Sequence, residues 1–219
     1  MERVRSSDPA EALLEAAAAV LDEEGRDAVT ARRLGREIGA SSMAVYTYFG
    51  SMDELLAAVW RKGFKDLTAA LRSVVTTKDP VADWVVQGWC YRDFALRNPH
   101  LYRVMFNDGL VRINQGSRAD REVALGSFEA LLELIQRCVD AGRWSVDDVF
   151  LAGEVVWVAT HGHCSVEMTG YFEAVRRDPH RLYTQVIRSL ALGFDDDPQL
   201  LRRSLDAAAR RTRRLRDGT

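Results

Sequence analysis

Apolar residues along the chain recur at the spacing of α-helices, and no stretch alternates convincingly with the period of two that a half-buried strand requires. One such helical face contains Leu125, Phe128, Leu132, Ile135 and Val139. We therefore predict an all-α fold with nine or ten helices and no sheet. The weakest pattern spans 107–118, where glycine, asparagine and serine predict a loop.

Capping residues predict where several of these helices begin. Aspartate followed by proline is an N-cap with proline at the first helical position. This pair occurs at Asp8-Pro9, Asp178-Pro179 and Asp197-Pro198. Ser51 and Glu54 form a capping box, and Ser145 with Asp148 forms a weaker variant.

The segment from Thr30 to Phe49 has the pattern of a compact helix-turn-helix. Gly39 is expected at the bend between two short helices, and Gly35 lies four residues earlier, where a side chain would hold the helices apart. Thr30 can cap the first helix and Ser41 the second. Alternatively, the bend simply joins two helices of an all-α body.

The second helix of this motif presents short polar side chains that fit a DNA major groove. Hydroxyls can donate to base edges, Met43 or Ala44 can meet a thymine methyl, and arginines of the preceding helix can reach phosphates. The predicted DNA-binding residues are Arg32, Arg33, Ser41, Ser42, Met43, Ala44, Tyr46, Thr47 and Tyr48. Arg3 and Arg5 can add minor-groove or phosphate contacts.

Charge and cysteine usage restrict the class of protein further. The 30 basic and 32 acidic residues give a formal net charge of −2, so a nucleic-acid contact depends on local clustering. Three cysteines without framework spacing indicate free thiols in a reducing compartment. The longest low-charge run, 149–166, is too polar to span a bilayer, and 1–10 shows no signal peptide. We expect a cytoplasmic protein without membrane contact.

Residues 9–64 resemble the TetR family of one-component transcriptional repressors. The resemblance lies in the run Val45-Tyr46-x-Tyr48-Phe49-x-Ser51-x-x-Glu54-Leu55-Leu56. It implies a homodimer that binds a palindromic double-stranded DNA operator and releases it when a small, largely apolar effector binds. Met52 departs from the pattern, because members of the family usually carry a phosphate-contacting lysine there.

Three regions are predicted from the motif and the resemblance. The helix-turn-helix domain covers 1–64, and an Arg-rich tail, expected to be a solvated and partly frayed helix, covers 196–219. Between them, 65–195 is expected to form a helical domain that the resemblance implies contains the effector site and the dimer interface. Residues 157–162 resemble the signature of a subgroup named for a Trp, His, Gly motif.

A helix expected from Ser145 to Thr169 has one face of small side chains, which permits close approach of another helix. We assign this face to a two-fold partner, with the helix from Pro179 to Gly193 completing a four-helix interface. The predicted dimer residues are Ala152, Val155, Ala159, Gly162, Val166, Leu182, Val186 and Ser189. Alternatively, the small face packs within its own subunit.

The opposite, bulky face of that helix is expected to point into the subunit. It contains Phe150, Trp157, His161, Cys164 and Met168. His161 is either a polar handle in an apolar effector cavity or a core histidine bonded to a carbonyl. The predicted ligand-binding residues are Trp84, Gly88, Tyr91, Trp157 and His161, although such aromatic stripes also form ordinary cores.

No catalytic, metal or cofactor site is predicted. His161 and His163 are two residues apart, about 200° around a helix, so they cannot share a metal ion. The sequence has no dinucleotide-binding, hydrolase or zinc-protease motif. A ligand-responsive repressor without enzymatic activity is therefore expected. The alternative is a small-molecule-binding helical protein, enzymatic or buffering, in which the helix-turn-helix is purely structural.

Overall fold

The computed structural model describes residues 8–106 and 117–217, and all regular structure in these ranges is helical. The helices are α1 (Pro9–Glu24), a 3-10 turn (Arg26–Ala28), α2 (Ala31–Ile38), α3 (Met43–Phe49), α4 (Met52–Arg72), α5 (Pro80–Arg97), α6 (Pro99–Phe106), α7 (Arg118–Asp140), α8 (Val149–Met168), α9 (Tyr171–Ala174), α10 (Pro179–Gly193) and α11 (Pro198–Asp217). The predicted all-α fold is confirmed. The predicted number of helices was low because elements as short as α9 carry no readable periodicity.

Two predicted features cannot be compared with the structure. The N-terminal arm with Arg3 and Arg5, and most of the loop expected at 107–118, lie outside the described residues. None of the described helices is long and apolar enough to cross a bilayer.

The chain divides into two compact units at boundaries that differ from the predicted ones. The first contains the described residues of 1–66 and 98–124, and the second those of 67–97 and 125–219. Residues from α6 and the start of α7 therefore belong with the helix-turn-helix. The reason lies in packing: α6 contacts α1, and Trp60 Nε1 donates a hydrogen bond to the Met105 carbonyl at 3.1 Å. A contiguous cut at residue 64 could not show this pairing.

The first unit is built on a core where α1 packs against α2 and α3. Its fully buried apolar residues include Leu13, Leu21, Leu34, Val45 and Leu55. Burial of each such side chain contributes about 1.5–3 kcal/mol. The core therefore holds the two short helices of the motif in place from behind.

The second unit is organised around α5, which is buried on most of its surface and is contacted by α8 and α11. Trp84 on α5 meets Trp144 edge to face, with ring centroids 4.9 Å apart. Trp144 in turn contacts Phe194 at 5.0 Å. Such aromatic contacts bury large areas and fix the relative position of the helices.

The predicted frayed tail is instead the packed helix α11. Leu201, Ser204 and Ala208 are buried against the second unit. Arg211 Nη1 lies 2.6 Å from a buried oxygen of Asp83 on α5. The prediction was wrong because the packing stripe of α11 is narrow: it consists of Leu201 and Leu205 with small residues, and it lies between many arginines.

Most of the predicted helix starts are confirmed, with one shift. Asp8, Asp178 and Asp197 each accept a backbone N–H two residues ahead. Ser51 Oγ accepts from Glu54 N at 3.1 Å, as the capping box requires. The long helix expected from residue 145 begins instead at Val149, because the Asp148 carboxylate caps it.

Candidate DNA-binding motif and ligand cavity

The bend between α2 and α3 is as tight as its glycines predict. Gly39 has φ of 71°, in the left-handed region that favours glycine. A Cβ built on Gly35 would lie 2.8 Å from the Ala40 carbonyl oxygen and 2.9 Å from the Ser41 carbonyl. These are backbone atoms of the turn itself, so Gly35 is required for close approach of the two helices.

The predicted caps of the two helices have different outcomes. Thr30 Oγ1 accepts from Arg33 N at 3.2 Å and caps α2. The predicted cap at Ser41 is wrong, since α3 begins at Met43 and Ser42 occupies the N-cap position. Ser42 has φ −60° and ψ −20°, which are helical values, and its side chain makes no capping bond. A serine caps through its side chain when its backbone is extended.

The outward face of α3 combines polar groups with large exposed side chains. Met43 is 61% exposed, Tyr46 45% and Tyr48 48%, whereas Val45 between them is fully buried. Of the other predicted contact residues, Ser41, Ser42 and Thr47 are exposed and Ala44 is half-buried. The Thr47 hydroxyl donates to the Met43 carbonyl at 3.0 Å, so toward an external partner it can act as an acceptor.

The two arginines predicted to contact DNA differ in their surroundings. Arg33 is engaged by two carboxylates, Glu24 and Glu37, each at 2.7 Å. The Glu24 contact ties α2 to α1, and the two carboxylates together offset the charge of Arg33, whose contact with DNA stays a prediction. Arg32 and Arg36 are exposed and have no ion-pair partner among the described residues. Because they are four residues apart, they share one face of α2.

A narrow cavity lies within the second unit, lined by α5, α8 and α10 and by residues of α7 and the end of α4. The space in which the centre of a water molecule can lie is about 30 Å³. Four of the five predicted ligand residues line it: Trp84, Gly88, Tyr91 and Trp157. His161 is not among the lining residues. It lies beside them, with Nδ1 3.3 Å from the Tyr91 hydroxyl and its ring stacked on Trp157.

Tyr183 on α10 is a cavity residue that the sequence interpretation missed. It is fully buried, and its hydroxyl donates to the Gly88 carbonyl at 2.9 Å. A Cβ at Gly88 would lie 2.9 Å from that hydroxyl oxygen. The space beside Gly88 is therefore occupied by Tyr183 and is not left for a ligand. Burial raises the pKa of Tyr183, and the phenol therefore stays neutral.

Gln87 is a second cavity residue that the sequence interpretation missed. Its side chain lines the cavity although the residue is only 5% exposed. Nε2 donates to the Ala130 carbonyl at 3.2 Å. The signal was present in the sequence, because Gln87 lies three residues after Trp84 and four before Tyr91, on the same helical face.

The two histidines of α8 occupy separate environments. His163 is stacked between Tyr183 and Phe172, with Nε2 3.3 Å from Glu167, which also binds Arg92. Burial lowers the pKa of both His161 and His163. Within the described residues no cluster of three or more metal-ligating side chains occurs.

Apolar side chains of α8 and α10 are exposed on the second unit. Of the predicted dimer residues, Val155, Val166, Leu182 and Ser189 are exposed, and Ala159, Gly162 and Val186 are half-buried. Leu151, Val158 and Leu192 are also exposed and were not predicted.

Two residues of α8 were assigned to the wrong face. Ala152 is 4% exposed and packs into the core of its own unit, so a partner subunit cannot reach it. Phe150 was expected in the interior and is 54% exposed, with its ring against Phe128. The side of α8 that faces the core is a stripe between the two predicted faces, and its buried residues are Ala152, Gly153, Val156, Thr160, His163 and Cys164.

Family models match both parts of the chain. The model of bacterial regulatory proteins, tetR family, matches residues 13–59, and that of the tetracyclin repressor-like C-terminal domain matches 84–190. An uncharacterized HTH-type transcriptional regulator of Mycobacterium tuberculosis, Rv0681, is 25% identical over 84% of this chain and 81% of its own length.

Solved structures share the fold. A protein of unknown function from Rhodococcus sp. RHA1 has a TM-score of 0.77 at 22% identity, over 89% of this chain and 99% of that one. PfmR, a TetR family transcriptional regulator from Thermus thermophilus, has a TM-score of 0.56 at 25% identity, over 70% of this chain and 84% of PfmR. The resemblance of 157–162 to the Trp-His-Gly subgroup stays a prediction. With an N-terminal and a C-terminal family model both matched, the chain belongs to the TetR family of bacterial transcriptional regulators.

Proposed function

We propose that this regulator is a homodimeric repressor that binds a palindromic operator through α3 and releases it when a small, largely apolar effector enters the cavity. The observation that carries the proposal is the outward face of α3, where a buried Val45 anchors the helix while Met43, Tyr46 and Tyr48 remain exposed. The activity is binding and not turnover, and its site of action is the cytoplasm.

Contacts with DNA divide into positioning and sequence-reading groups. Tyr46 and Tyr48 supply phosphate and sugar contacts, while Ser42, Met43 and Thr47 influence the choice of bases. Arg32 is available for a phosphate because no carboxylate neutralises it among the described residues. Met52 contributes no charge at the position where the family usually has lysine, so these groups supply more of the affinity.

Effector control follows from the cavity of the second unit. Its aromatic walls at Trp84, Tyr91 and Trp157 suit an apolar molecule. The effector shifts the equilibrium toward a state in which the two α3 helices of the dimer no longer match successive major grooves, about 34–36 Å apart. The dimer forms through the exposed apolar residues of α8 and α10, with Val155, Val166 and Leu182 at the contact.

The test is operator binding by the full chain, measured by fluorescence anisotropy on palindromic fragments from the DNA that flanks its gene. Tyr46→Ala is expected to weaken binding about tenfold on every operator, since it removes a backbone contact. Tyr171→Ala is the matched control, because Tyr171 is a tyrosine of similar exposure on α9 and is expected to leave binding unchanged.

No salt-dependent binding to any such fragment, or equal effects of the two variants, would contradict the proposal. The helix-turn-helix would then be structural, and the chain a small-molecule-binding helical protein.

A further inference from the structure

The cavity of the second unit contains a buried amide group that is half satisfied. Gln87 is 5% exposed, and its Nε2 donates to the Ala130 carbonyl at 3.2 Å. Its other polar atom, Oε1, accepts no hydrogen bond from any described residue. Oε1 is not among the inaccessible side-chain atoms of the described residues that lack a partner, so this oxygen is accessible from the cavity and can accept a hydrogen bond from a bound molecule.

The orientation of this amide is fixed by chemistry. The two ends of a glutamine amide are distinguished by their hydrogen bonds, and a carbonyl oxygen accepts but cannot donate. The end facing Ala130 must therefore be the nitrogen. Gln87 consequently offers the cavity an acceptor and not a donor.

Two further polar groups around the cavity are engaged within the protein. The Tyr183 hydroxyl donates to Gly88, and its oxygen interacts with the Thr160 side chain. The Tyr91 hydroxyl is bonded to His161 Nδ1 at 3.3 Å. Ser127 and Thr160 also line the cavity, and each takes part in an interaction within the protein. Gln87 Oε1 is an amide oxygen to which a ligand can donate a hydrogen bond without breaking an existing one.

Charge and shape restrict the ligand further. None of the described residues that line the cavity is acidic, basic or histidine, so a charged ligand would be buried without a counterion, which is strongly unfavourable. The walls include the rings of Trp84, Tyr91 and Trp157, which favour a flat aromatic partner. The space in which the centre of a water molecule can lie is only about 30 Å³, which restricts that partner to a small molecule.

We propose that the cavity binds an uncharged, single-ring aromatic molecule with a hydroxyl group, which donates its proton to Gln87 Oε1. Gln87 determines specificity through this hydrogen bond. His161 is a positioning residue, because its contact with the Tyr91 hydroxyl holds the Tyr91 side chain in place. The regulatory meaning of this ligand class rests on the proposed function, whereas the binding itself does not.

Isothermal titration calorimetry of the full chain tests the ligand class with three probes: phenol, toluene and benzoate. Phenol and toluene have nearly the same size and differ in the hydroxyl. Phenol is expected to bind about tenfold more tightly than toluene, and benzoate is expected not to bind. Equal affinities of phenol and toluene, binding of benzoate, or binding of none of the three would overturn the proposal, and this comparison needs no variant.

Substitution of Gln87 tests whether this residue causes the preference for phenol over toluene. Gln87→Met keeps the length of the side chain and removes the acceptor, so phenol and toluene are expected to bind equally. Gln136→Met is the matched control, because Gln136 is an exposed glutamine on α7 that does not line the cavity. A phenol preference that survives in Gln87→Met would overturn the role of Gln87.

A parallel titration of the operator complex separates this inference from the proposed function. Phenol that binds with the expected preference but does not release DNA supports the ligand class and contradicts control by this cavity. Operator release by a charged or purely aliphatic molecule in competition with phenol supports the proposed function and overturns the ligand class.

Discussion

The α-carbon of Gly35 lies so close to the Ala40 carbonyl that a Cβ there would be 2.8 Å from the oxygen. The obstacle is backbone, which cannot turn aside as a flexible side chain can. The spacing of α2 and α3, and with it the position of every exposed side chain on α3, therefore depends on one missing methyl group.

Replacing Gly35 by alanine is expected to destabilise the motif by about 1–3 kcal/mol and to weaken operator binding, because α2 and α3 must separate. Gly126→Ala is the control. Gly126 is also a helical glycine, but its Cβ would meet Thr68 at 3.4 Å, an ordinary contact, so the change is expected to be neutral or stabilising by up to about 1 kcal/mol. Urea unfolding and operator anisotropy measure both; equal losses would contradict the close approach.

Arg32 and Arg33 are expected to differ in a salt titration of operator binding. Arg32→Ala removes one phosphate contact in each subunit of the dimer, two in all, which reduces the slope of log affinity against log salt by about 1.8. Arg33→Ala is expected to leave the slope nearly unchanged, because its charge is already bound by Glu24 and Glu37. The reverse order of the two slopes would place Arg33 on the DNA.

A charge on the exposed face of α8 is expected to prevent dimerisation. Val158 is 60% exposed, and Val158→Asp would bury an unpaired carboxylate in a two-fold contact, once per subunit. Gly162→Leu is a second variant that leaves the single chain intact, since a Cβ there meets nothing within 4 Å. Val75→Asp, at another exposed valine, which lies before α5, is the control. Sedimentation velocity is expected to show monomers for the first two and dimers for the third; three dimers would move the interface elsewhere.

The arginines of α11 are expected to differ in their contribution to stability. Arg211 pairs with the fully buried carboxylate of Asp83, so Arg211→Met is expected to cost about 1–3 kcal/mol. Arg213 is exposed, and Arg213→Met is expected to change the free energy of unfolding by less than about 0.5 kcal/mol. Urea unfolding compares them. If both were neutral, α11 would be the frayed tail that the sequence suggested.

Stability is expected to fall as the pH drops below the ordinary histidine pKa of 6.5. Burial lowers the pKa of His161 and His163 in the folded chain, so the unfolded chain binds more protons in this window. The stability is therefore present above pH 6.5 and is lost progressively below it. Urea unfolding at pH 7.5 and 5.5 is expected to show a smaller difference for the double variant His161→Gln, His163→Gln. A loss of stability caused by the substitutions themselves is the same at both pH values, so it cancels when the two free energies of unfolding are subtracted.

Local rules in the sequence were sufficient for the fold class and for the motif. Helical periodicity, the aspartate and serine caps, and the pair Gly35 and Gly39 all act over a few residues, so they can be read from the sequence. The same holds for the exposed side chains of α3, because a seven-residue helix with one buried valine presents the rest outward.

Contacts between residues distant in the sequence decided everything else. Arg33 is paired with Glu24 of α1, and Tyr183 fills the space at Gly88 from 95 residues away. The packing of α11 and the half-satisfied amide of Gln87 likewise depend on which helices meet. Because the hydrophobic effect is non-directional, the sequence indicates which helix faces must be buried but not against which partner. Only the packing of the helices in the tertiary structure determines that partner.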